Sequence, residues 1–326
     1  MNDREALDAL TTAAARVDFG PGQRLGRALI VAAGADRIRF LHGLVTGNVA
    51  DTPVGGGVRS VLLTTKAQVV GDLRVFVRDS DVWIVVPDGQ ADALAAALSR
   101  YAIMDDFTAT ARPDFKMIGV LGPAAAARLA EAGVTLGALA GAAVFAHATV
   151  GDLWLVRARE LGADGFLVAG ASATVDAVDA RLAAAGVPSL SPALADAARV
   201  AAGEPLWGAE ITGDYFPMEV GLGSAIDYTK GCFLGQEPIV RIRDRGHINW
   251  RLVGLDVDAA VDPSPGDALE ADSKPKAGRV TSAARLPGGR GVALALLHVS
   301  VPVGAAIRIK HGEAVLPAAV RADAGS

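Results

Sequence analysis

The sequence predicts an α+β protein that ends in a small β-barrel. Two blocks, residues 60–111 and 116–182, each combine alternating apolar strand patterns with an amphipathic helix pattern. After residue 246, short segments rich in valine and leucine are separated by P-S-P-G-D, K-P-K-A-G, L-P-G-G-R-G and V-P-V-G, which is typical of a small barrel or sandwich. We therefore expect two interleaved α+β subdomains in residues 1–245 and a separate barrel domain in residues 246–326.

The first block follows a helix that is predicted over residues 3–16. The segments S-V-L-L-T-T, G-D-L-R-V-F-V-R and D-V-W-I-V-V-P are predicted strands, and D-S-D is the hairpin loop between the last two. Leu94, Leu98 and Tyr101 share one face of a helix predicted over residues 90–101, which a strand over residues 107–111 follows.

The second block repeats this architecture without a clear sequence repeat. K-M-I-G-V-L-G is a predicted strand, a helix starts at Pro123, and D-L-W-L-V-R-A-R and G-F-L-V-A-G are further strands. A helix follows, with an apolar stripe formed by Val175, Val178 and Leu182. The pair Ser191-Pro192 then begins another helix, which Gly203 ends.

The composition is that of an ordinary globular protein, with 51% hydrophobic and 21% charged residues. No apolar run reaches the roughly 18 to 20 residues of a membrane-spanning helix, and the acidic start M-N-D-R-E-A-L has no apolar signal core. The formal net charge of −5 gives no basic footprint for nucleic acid. We therefore expect a cytoplasmic protein that binds neither membrane nor nucleic acid.

The ligand types for an internal metal site are scarce. Cys232 is the only cysteine, so a disulfide framework and a site built from several thiolates of one chain are excluded. The five histidines are scattered without metal-binding spacing, so no metal ligand is predicted. The phosphate-binding patterns G-x-x-x-x-G-K-[ST] and G-x-G-x-x-G after a strand are also absent from the sequence.

The octapeptide K-G-C-F-L-G-Q-E, residues 230–237, surrounds the cysteine with flexible and charged neighbours. Gly231 and Gly235 would let the backbone approach a ligand closely or adopt a positive φ. Lys230, and a helix that starts nearby, would favour the thiolate form of Cys232. An isolated cysteine is usually a small buried hydrophobe, but two glycines and three polar groups within eight residues favour a working thiol.

This octapeptide resembles the K-G-C-[FY]-x-G-Q-E motif of the YgfZ-type folate-binding proteins. These include mitochondrial relatives that act late in iron–sulfur cluster assembly, and they share their fold with the T-protein, the aminomethyltransferase of the glycine cleavage system. Four further stretches fall in the order of the family: F-L-H-G-L-V-T-G-N-V, A-R-V-A-A-G-E-P-L-W-G-A-E-I, F-P-M-E-V-G-L and G-R-V-T-S. The resemblance covers nearly the whole chain.

The resemblance implies an aminomethyltransferase-like fold around a central cavity for tetrahydrofolate or a one-carbon derivative. By position, Arg199 matches the family arginine that meets the folate. Asp72 lies near the acidic residue with which the T-protein binds folate and assists transfer. Gln236 and Glu237 are expected to orient a ligand or cap the next helix, on which Arg241 is a further candidate contact. Without the resemblance, Arg199 and Asp72 would each be expected to be solvated charges.

The chain departs from the T-protein in two places. The paired aspartates of that enzyme are reduced to one in V-G-D-L, and the G-F-E whose glutamate grips the pterin ring reads G-F-L, with Leu167. A leucine cannot hydrogen-bond the pterin amino group, so a bound folate would need a different acceptor. These departures argue against aminomethyl transfer and against the family's way of recognising the pterin edge.

Three functions follow from these observations. The preferred one is a tetrahydrofolate-binding accessory protein for iron–sulfur cluster assembly or repair, with iron–sulfur client or assembly proteins as partners. Here Cys232 is a reactive thiol, assisted by Lys230, and faces the folate cavity from the loop before the helix that carries Arg241. The alternatives are a folate-dependent aminomethyl- or methyltransferase that uses Asp72, and a folate-dependent scaffold with a structural cysteine. A cysteine hydrolase is a remote fourth, because His247 is the only histidine near Cys232 in the sequence.

Overall fold

The computed structural model describes residues 2–324, in which runs of strands are separated by helices and the last six strands follow one another directly. The helices are α1 (Asp3–Thr12), α2 (Arg37–Leu44), α3 (Ala91–Tyr101), α4 (Ala125–Glu131), α5 (Ser172–Ala184), α6 (Pro192–Ala202) and α7 (Gln236–Arg245), with short 3-10 turns at Gly137–Gly141, Pro217–Val220 and Gly223–Ala225. The strands are β1 (Ala15–Asp18), β2 (Arg27–Ala33), β3 (Gly57–Leu63), β4 (Val69–Val77), β5 (Val82–Pro87), β6 (Thr108–Arg112), β7 (Lys116–Leu121), β8 (His147–Val150), β9 (Leu153–Glu160), β10 (Ala163–Gly170), β11 (Trp250–Val257), β12 (Ala268–Ala271), β13 (Lys274–Arg285), β14 (Gly291–His298), β15 (Ala306–His311) and β16 (Ala314–Asp323).

Two five-stranded antiparallel sheets form the larger part of the fold. The first has the order β3-β4-β5-β2-β6, and the second has the order β1-β7-β10-β9-β8. Helices α2 and α3 cover one face of the first sheet, with Leu41 and Leu98 among their buried residues. Helices α4 and α5 cover one face of the second sheet through residues such as Leu129 and Val178. Helix-on-sheet packing thus explains the apolar stripes in the sequence, except at Tyr101, which is 45% exposed at the end of α3.

The uncovered faces of the two sheets pack against each other. Their shared core contains Phe76 from the first sheet and Trp154 from the second, with ring centroids 4.8 Å apart in an edge-to-face arrangement. Trp83 adds a second edge-to-face contact with Trp154, at 4.9 Å. Such aromatic pairs contribute about 0.5–1.5 kcal/mol beyond the area they bury. The two blocks of the sequence therefore form one layered body.

The C-terminal strands close into a six-stranded barrel in the order β11-β14-β13-β12-β15-β16. Alternate residues of these strands fill its interior, among them Leu255, Leu297 and Ile309, each fully buried. Closure removes the unpaired strand edges that an open sheet of this size would expose. The predicted α+β class with a C-terminal barrel is thereby confirmed, whereas the division of the chain into domains at residue 245 stays a prediction.

Helix α6 connects the layered body to the barrel, because it packs against β13 and β14. Ser191 caps its start by accepting a hydrogen bond from the backbone N–H of Leu194 at 3.3 Å. Gly203 ends it in the left-handed conformation, with φ of 79°. Both ends agree with the sequence analysis.

The helix predicted over residues 3–16 is shorter than expected. It ends at Thr12, and β1 begins at Ala15 and pairs with β7, with Val17 opposite Gly119. Local propensity favoured a longer helix, but the exposed edge of β7 offers backbone hydrogen bonds that a continued helix could not make. None of the helices described within residues 2–324 is long and apolar enough to cross a membrane.

His147 joins the two sheets and should make the stability of the protein depend on pH. Its Nε2 donates to the carbonyl of Val77 at 3.1 Å, and its Nδ1 accepts from Trp154 Nε1–H at 3.1 Å, which requires the neutral ring. Burial, partly offset by the bond to Val77, lowers the pKa of His147 below its ordinary value. Below about pH 6.5 the unfolded chain therefore binds a proton that the folded chain does not, and stability falls as the pH falls, by up to about 1.4 kcal/mol per pH unit.

Urea unfolding between pH 5 and pH 7.5 measures this effect. The exposed His247 provides the control, because in a His247→Gln variant the slope of the free energy of unfolding against pH should be that of the parent chain. A His147→Gln variant should lose part of the slope. An unchanged slope in that variant would show that His147 is not the titrating group.

Candidate functional site

A cavity of about 480 Å³ is lined by both sheets and by the C-terminal end of α6. Its wall carries five arginines and two glutamates, together with aromatic and aliphatic side chains. The charged residues are Arg27, Arg59, Arg74, Arg159, Arg199, Glu160 and Glu204. Concave sites of 300–1,000 Å³ with a few converging polar groups are typical of small-molecule binding.

Asp72 is buried in β4, behind the wall of this cavity. Its Oδ1 accepts from Nε of Arg59 at 3.1 Å, and its Oδ2 accepts from Nη2 of the same residue at 2.9 Å. Burial alone would raise the pKa of Asp72, but the charge and hydrogen bonds of Arg59, aided by Arg74 and Arg27, hold that pKa below its ordinary value. Asp72 is therefore an ionised partner that fixes Arg59 on the cavity wall.

Two arginines of the wall lie directly opposite each other on neighbouring strands, Arg59 on β3 and Arg74 on β4. Like charges in this position repel, and Glu160 offsets them. Glu160 Oε1 lies 3.1 Å from Nη2 of Arg74, and Oε2 lies 3.5 Å from Nη2 of Arg27. Burial, followed by the charge of Arg74, lowers the pKa of Arg27 to about 10, so Arg27 still carries its charge at neutral pH.

Two charged groups of the cavity have no close counter-ion. Glu204 is half-buried, and its Oε1 accepts from the backbone N–H of Gly162 at 2.8 Å. Within residues 2–324 its carboxylate forms no ion pair, and burial followed by the charge of Glu160 raises the pKa of Glu204. The side chain of Arg159 is 60% exposed, and its one ion pair in the same part of the chain is a long contact of 3.6 Å with the exposed Asp164.

The apolar part of the wall includes Phe19, Leu25, Phe145 and Leu206. Leu167 belongs to the same apolar core as Phe19 and Leu25, is 3% exposed, and does not line the cavity. Position 167, which the resemblance matches to the pterin-binding glutamate of the T-protein, is therefore part of the core in this chain.

Arg199 touches the cavity but is held mainly by protein groups. Its Nη1 donates to Glu210 Oε2 and to the carbonyl of Glu204, each at 3.0 Å, and its Nε donates to Asp196 at 2.7 Å. Nη2 donates to Ser282 Oγ on β13 at 3.0 Å, and that hydroxyl donates to Glu210 Oε1 at 2.6 Å. The predicted contact of Arg199 with folate stays a prediction, and its observed contacts connect α6 to the barrel.

Lys230 attaches the octapeptide to the end of α2. Its Nζ donates to the carbonyls of Val45 at 2.6 Å and Gly47 at 2.8 Å, and also to that of His42. Burial lowers the pKa of Lys230 to about 8, against the opposing charge of Asp227. The three acceptors favour the ammonium form, because only that form has three N–H donors. Lys230 thus caps a helix end that would otherwise leave carbonyls unpaired.

Cys232 is exposed on the loop before α7, where the sequence predicted it. It does not line the cavity, so the prediction that its sulfur faces the cavity is not met. Gly231 and Gly235 have φ of 98° and 78°, as the motif suggested. A Cβ on Gly235 would lie 2.5 Å from the carbonyl oxygen of Thr64, so only glycine fits this turn.

The remaining predicted contacts lie on α7. Gln236 and Glu237 are its first residues, and Glu237 Oε1 pairs with Arg241 Nη2 at 2.7 Å. The side chains of Glu237 and Arg241 are 83% and 72% exposed, and none of the three residues lines the cavity. Their contact with a ligand stays a prediction.

The structure thus divides the predicted residues between two places. Asp72 and Arg199 belong to the cavity region, whereas Lys230 and Cys232 lie on the octapeptide loop. Sequence analysis missed the cavity residues Arg59, Arg74, Glu160 and Glu204, although a charge inside an apolar strand such as L-R-V-F-V could have indicated them. In the described part of the chain, no three His, Cys, Asp or Glu side chains are arranged to hold a metal ion.

The family model described as the GCVT N-terminal domain matches residues 24–230. The chain belongs to the GCVT N-terminal domain family. It is 26% identical over 313 residues to the tRNA-modifying protein YgfZ of Yersinia enterocolitica, covering 89% of this chain and 88% of that protein. It is also 26% identical over 288 residues to the YgfZ of Yersinia pseudotuberculosis, covering 87% and 86% of the two chains.

Among solved structures, the glycine cleavage system aminomethyltransferase T of Bartonella henselae matches with a TM-score of 0.87 and 22% identity. The match covers 98% of this chain and 88% of that one, and at this identity it shows the fold alone. The resemblance to the YgfZ-type proteins and to the T-protein fold, inferred from sequence motifs, is confirmed.

In this GCVT-family chain, the pair of Arg199 and Glu210 should contribute strongly to stability. Their side chains are 2% and 0% exposed, so Arg199→Ala leaves a buried carboxylate without its counter-ion. We expect a loss of about 3–5 kcal/mol in the free energy of unfolding, measured by urea denaturation.

Arg128 provides a matched control, because its partly exposed pair with Glu131 lies on the surface of α4. Arg128→Ala should cost less than about 0.5 kcal/mol. The double variant Arg199→Ala/Glu210→Ala should be less destabilised than Arg199→Ala alone, since the unpaired charge is removed. A loss below about 1 kcal/mol for Arg199→Ala would contradict the role of this pair.

Proposed function

We propose that this protein binds tetrahydrofolate, or a one-carbon derivative of it, and supports the assembly or repair of iron–sulfur proteins through the thiol of Cys232. The observation that carries the proposal is the cavity of about 480 Å³, whose wall combines arginines, carboxylates and aromatic side chains. The ligand class agrees with the YgfZ-type relationship.

The chemistry of the cavity fits a reduced folate. A folate has a flat ring system with N–H donors and carbonyl acceptors, and a tail that ends in carboxylates. Phe19, Phe145 and Leu206 supply apolar contact area. Arg159 is the charged group best suited to the tail, because the one ion pair that it forms within the described residues is long and exposed.

The thiol of Cys232 is suited to act on a partner protein. It is exposed and lies outside the cavity wall, on a loop that Lys230 attaches to the end of α2. One thiolate cannot complete a cluster site, so Cys232 would supply at most one ligand to a cluster shared with a partner. The Yersinia relatives are named for tRNA modification, which makes an enzyme of tRNA modification a candidate client.

The alternative of aminomethyl transfer has less support from the site. Both carboxylate oxygens of Asp72 accept hydrogen bonds from Arg59, and Asp72 does not line the cavity. A general base must lie within hydrogen-bond reach of the proton it takes. Leu167 removes a further group on which the resemblance to the enzyme depends.

Titration of the purified protein with tetrahydrofolate under anaerobic conditions tests the ligand. Arg159→Ala should weaken binding about twofold to fivefold without loss of stability, because an exposed charge pair contributes about 0.5–1 kcal/mol. Arg128→Ala on α4 is the control and should bind as the parent chain does. Absence of binding at millimolar concentrations of any reduced folate would refute the ligand assignment.

The role of the thiol is tested by Cys232→Ala and Cys232→Ser. Both variants should fold and bind tetrahydrofolate with unchanged affinity, because Cys232 lies outside the cavity wall. Both should fail to restore the activity of iron–sulfur enzymes in cells that lack the parent protein. Full restoration by Cys232→Ala would mean that the cysteine is not the working group.

A further inference from the structure

The wall of the cavity contains a carboxylate, Glu204, that forms no ion pair within residues 2–324. Its Oε1 accepts from the backbone N–H of Gly162 at 2.8 Å, the backbone N–H of Leu161 also acts on the carboxylate, and no side chain of these residues donates a hydrogen bond to it. The arginines beside it are committed elsewhere, since Arg74 pairs with Glu160 and Arg59 pairs with Asp72. A half-buried carboxylate on a cavity wall that is held by backbone N–H groups alone keeps lone pairs with which it can accept from a ligand.

The ligand class proposed above has donors of the right kind. A pterin presents an amino group and a ring N–H side by side, next to a carbonyl oxygen. A carboxylate can accept from both donors at once, and an arginine can donate to the neighbouring oxygen. Leu167 supplies no acceptor, so the pterin edge needs a carboxylate from another element.

We propose that Glu204 is the residue that recognises the amino-pyrimidinone edge of the pterin in this protein. This inference rests on the proposed folate-binding function. Arg74 lines the same cavity and its charge acts on Glu204. Its pair with Glu160 is made through Nη2, so its other N–H groups are neighbouring donors for the pterin carbonyl. The acceptor thus comes from the loop after α6. It takes the place of an acceptor at position 167 on β10, where this chain has Leu167.

Ring and tail fragments of folate separate this role from folate binding as a whole. The probes are tetrahydrofolate, dimethyltetrahydropterin, which lacks the tail, and p-aminobenzoylglutamate, which lacks the ring. Glu204→Gln keeps the acceptor for Gly162 and should remain folded, whereas Glu204→Ala removes the group. Both variants should lower the affinity for dimethyltetrahydropterin about tenfold to a hundredfold, and both should leave the affinity for p-aminobenzoylglutamate unchanged. Glu131→Gln, on the surface of α4, is the matched control.

The pH dependence gives a second readout. Burial and then the charge of Glu160 raise the pKa of Glu204, and the backbone N–H groups of Gly162 and Leu161 and the charge of Arg74 oppose that rise. Arg59 is a further charged group that interacts with Glu204. The carboxylate form accepts from the pterin, so affinity for dimethyltetrahydropterin should fall as the pH falls through the pKa of Glu204. In the Glu204→Gln variant, the affinity for dimethyltetrahydropterin should depend less on pH.

The outcomes distinguish the two proposals. If the parent chain binds tetrahydrofolate and both Glu204 variants bind the pterin fragment equally well, the inference is overturned and the folate function stands. If the parent chain binds no reduced folate, both fail. Guanosine carries the same edge on another ring system, and a chain that binds guanosine but not the reduced pterin would overturn the ligand assignment.

Discussion

The arrangement of the whole molecule depends on the buried contacts of Arg199. This guanidinium on α6 binds the carboxylate of Glu210 and the hydroxyl of Ser282, so one cation connects the layered body to the barrel. Glu210 in turn accepts from the backbone N–H of Leu206, which fixes the loop that carries Glu204. An orientation of α6 that separated this pair would leave buried charges unpaired, which is strongly destabilising.

The electrostatics of the cavity follow from this frame. Asp72 and Glu160 hold three closely spaced arginines, Arg27, Arg59 and Arg74, that would otherwise repel one another. Because these pairs are largely withdrawn from solvent, their orientations are set before a ligand arrives, and this preorganisation reduces the cost of binding. Glu204 and Arg159 lie outside these pairs, and they differ in sign.

The octapeptide loop and the cavity are separate features of the surface. Lys230 uses its ammonium group to bind backbone carbonyls after α2, and Gly235 allows the close approach to Thr64. The result is a rigid turn that presents Cys232 to solvent. Lys230 and Gly235 thus act on the backbone geometry of the octapeptide, and Cys232 is the side chain to which we assign a chemical role.

The sequence by itself determined the class of the fold, the ends of α6 and the barrel, because periodicity, Ser191 and Gly203 act locally. Motifs also identified the family and the octapeptide loop. Only the tertiary structure decided that α1 stops at Thr12, where pairing of β1 with β7 replaces helix. It also decided which residues line the cavity. Arg59 and Glu204 come from distant parts of the chain, and their proximity depends on how the two sheets and α6 pack. Local patterns contain no information about such long-range proximity, so the site could be predicted only in part.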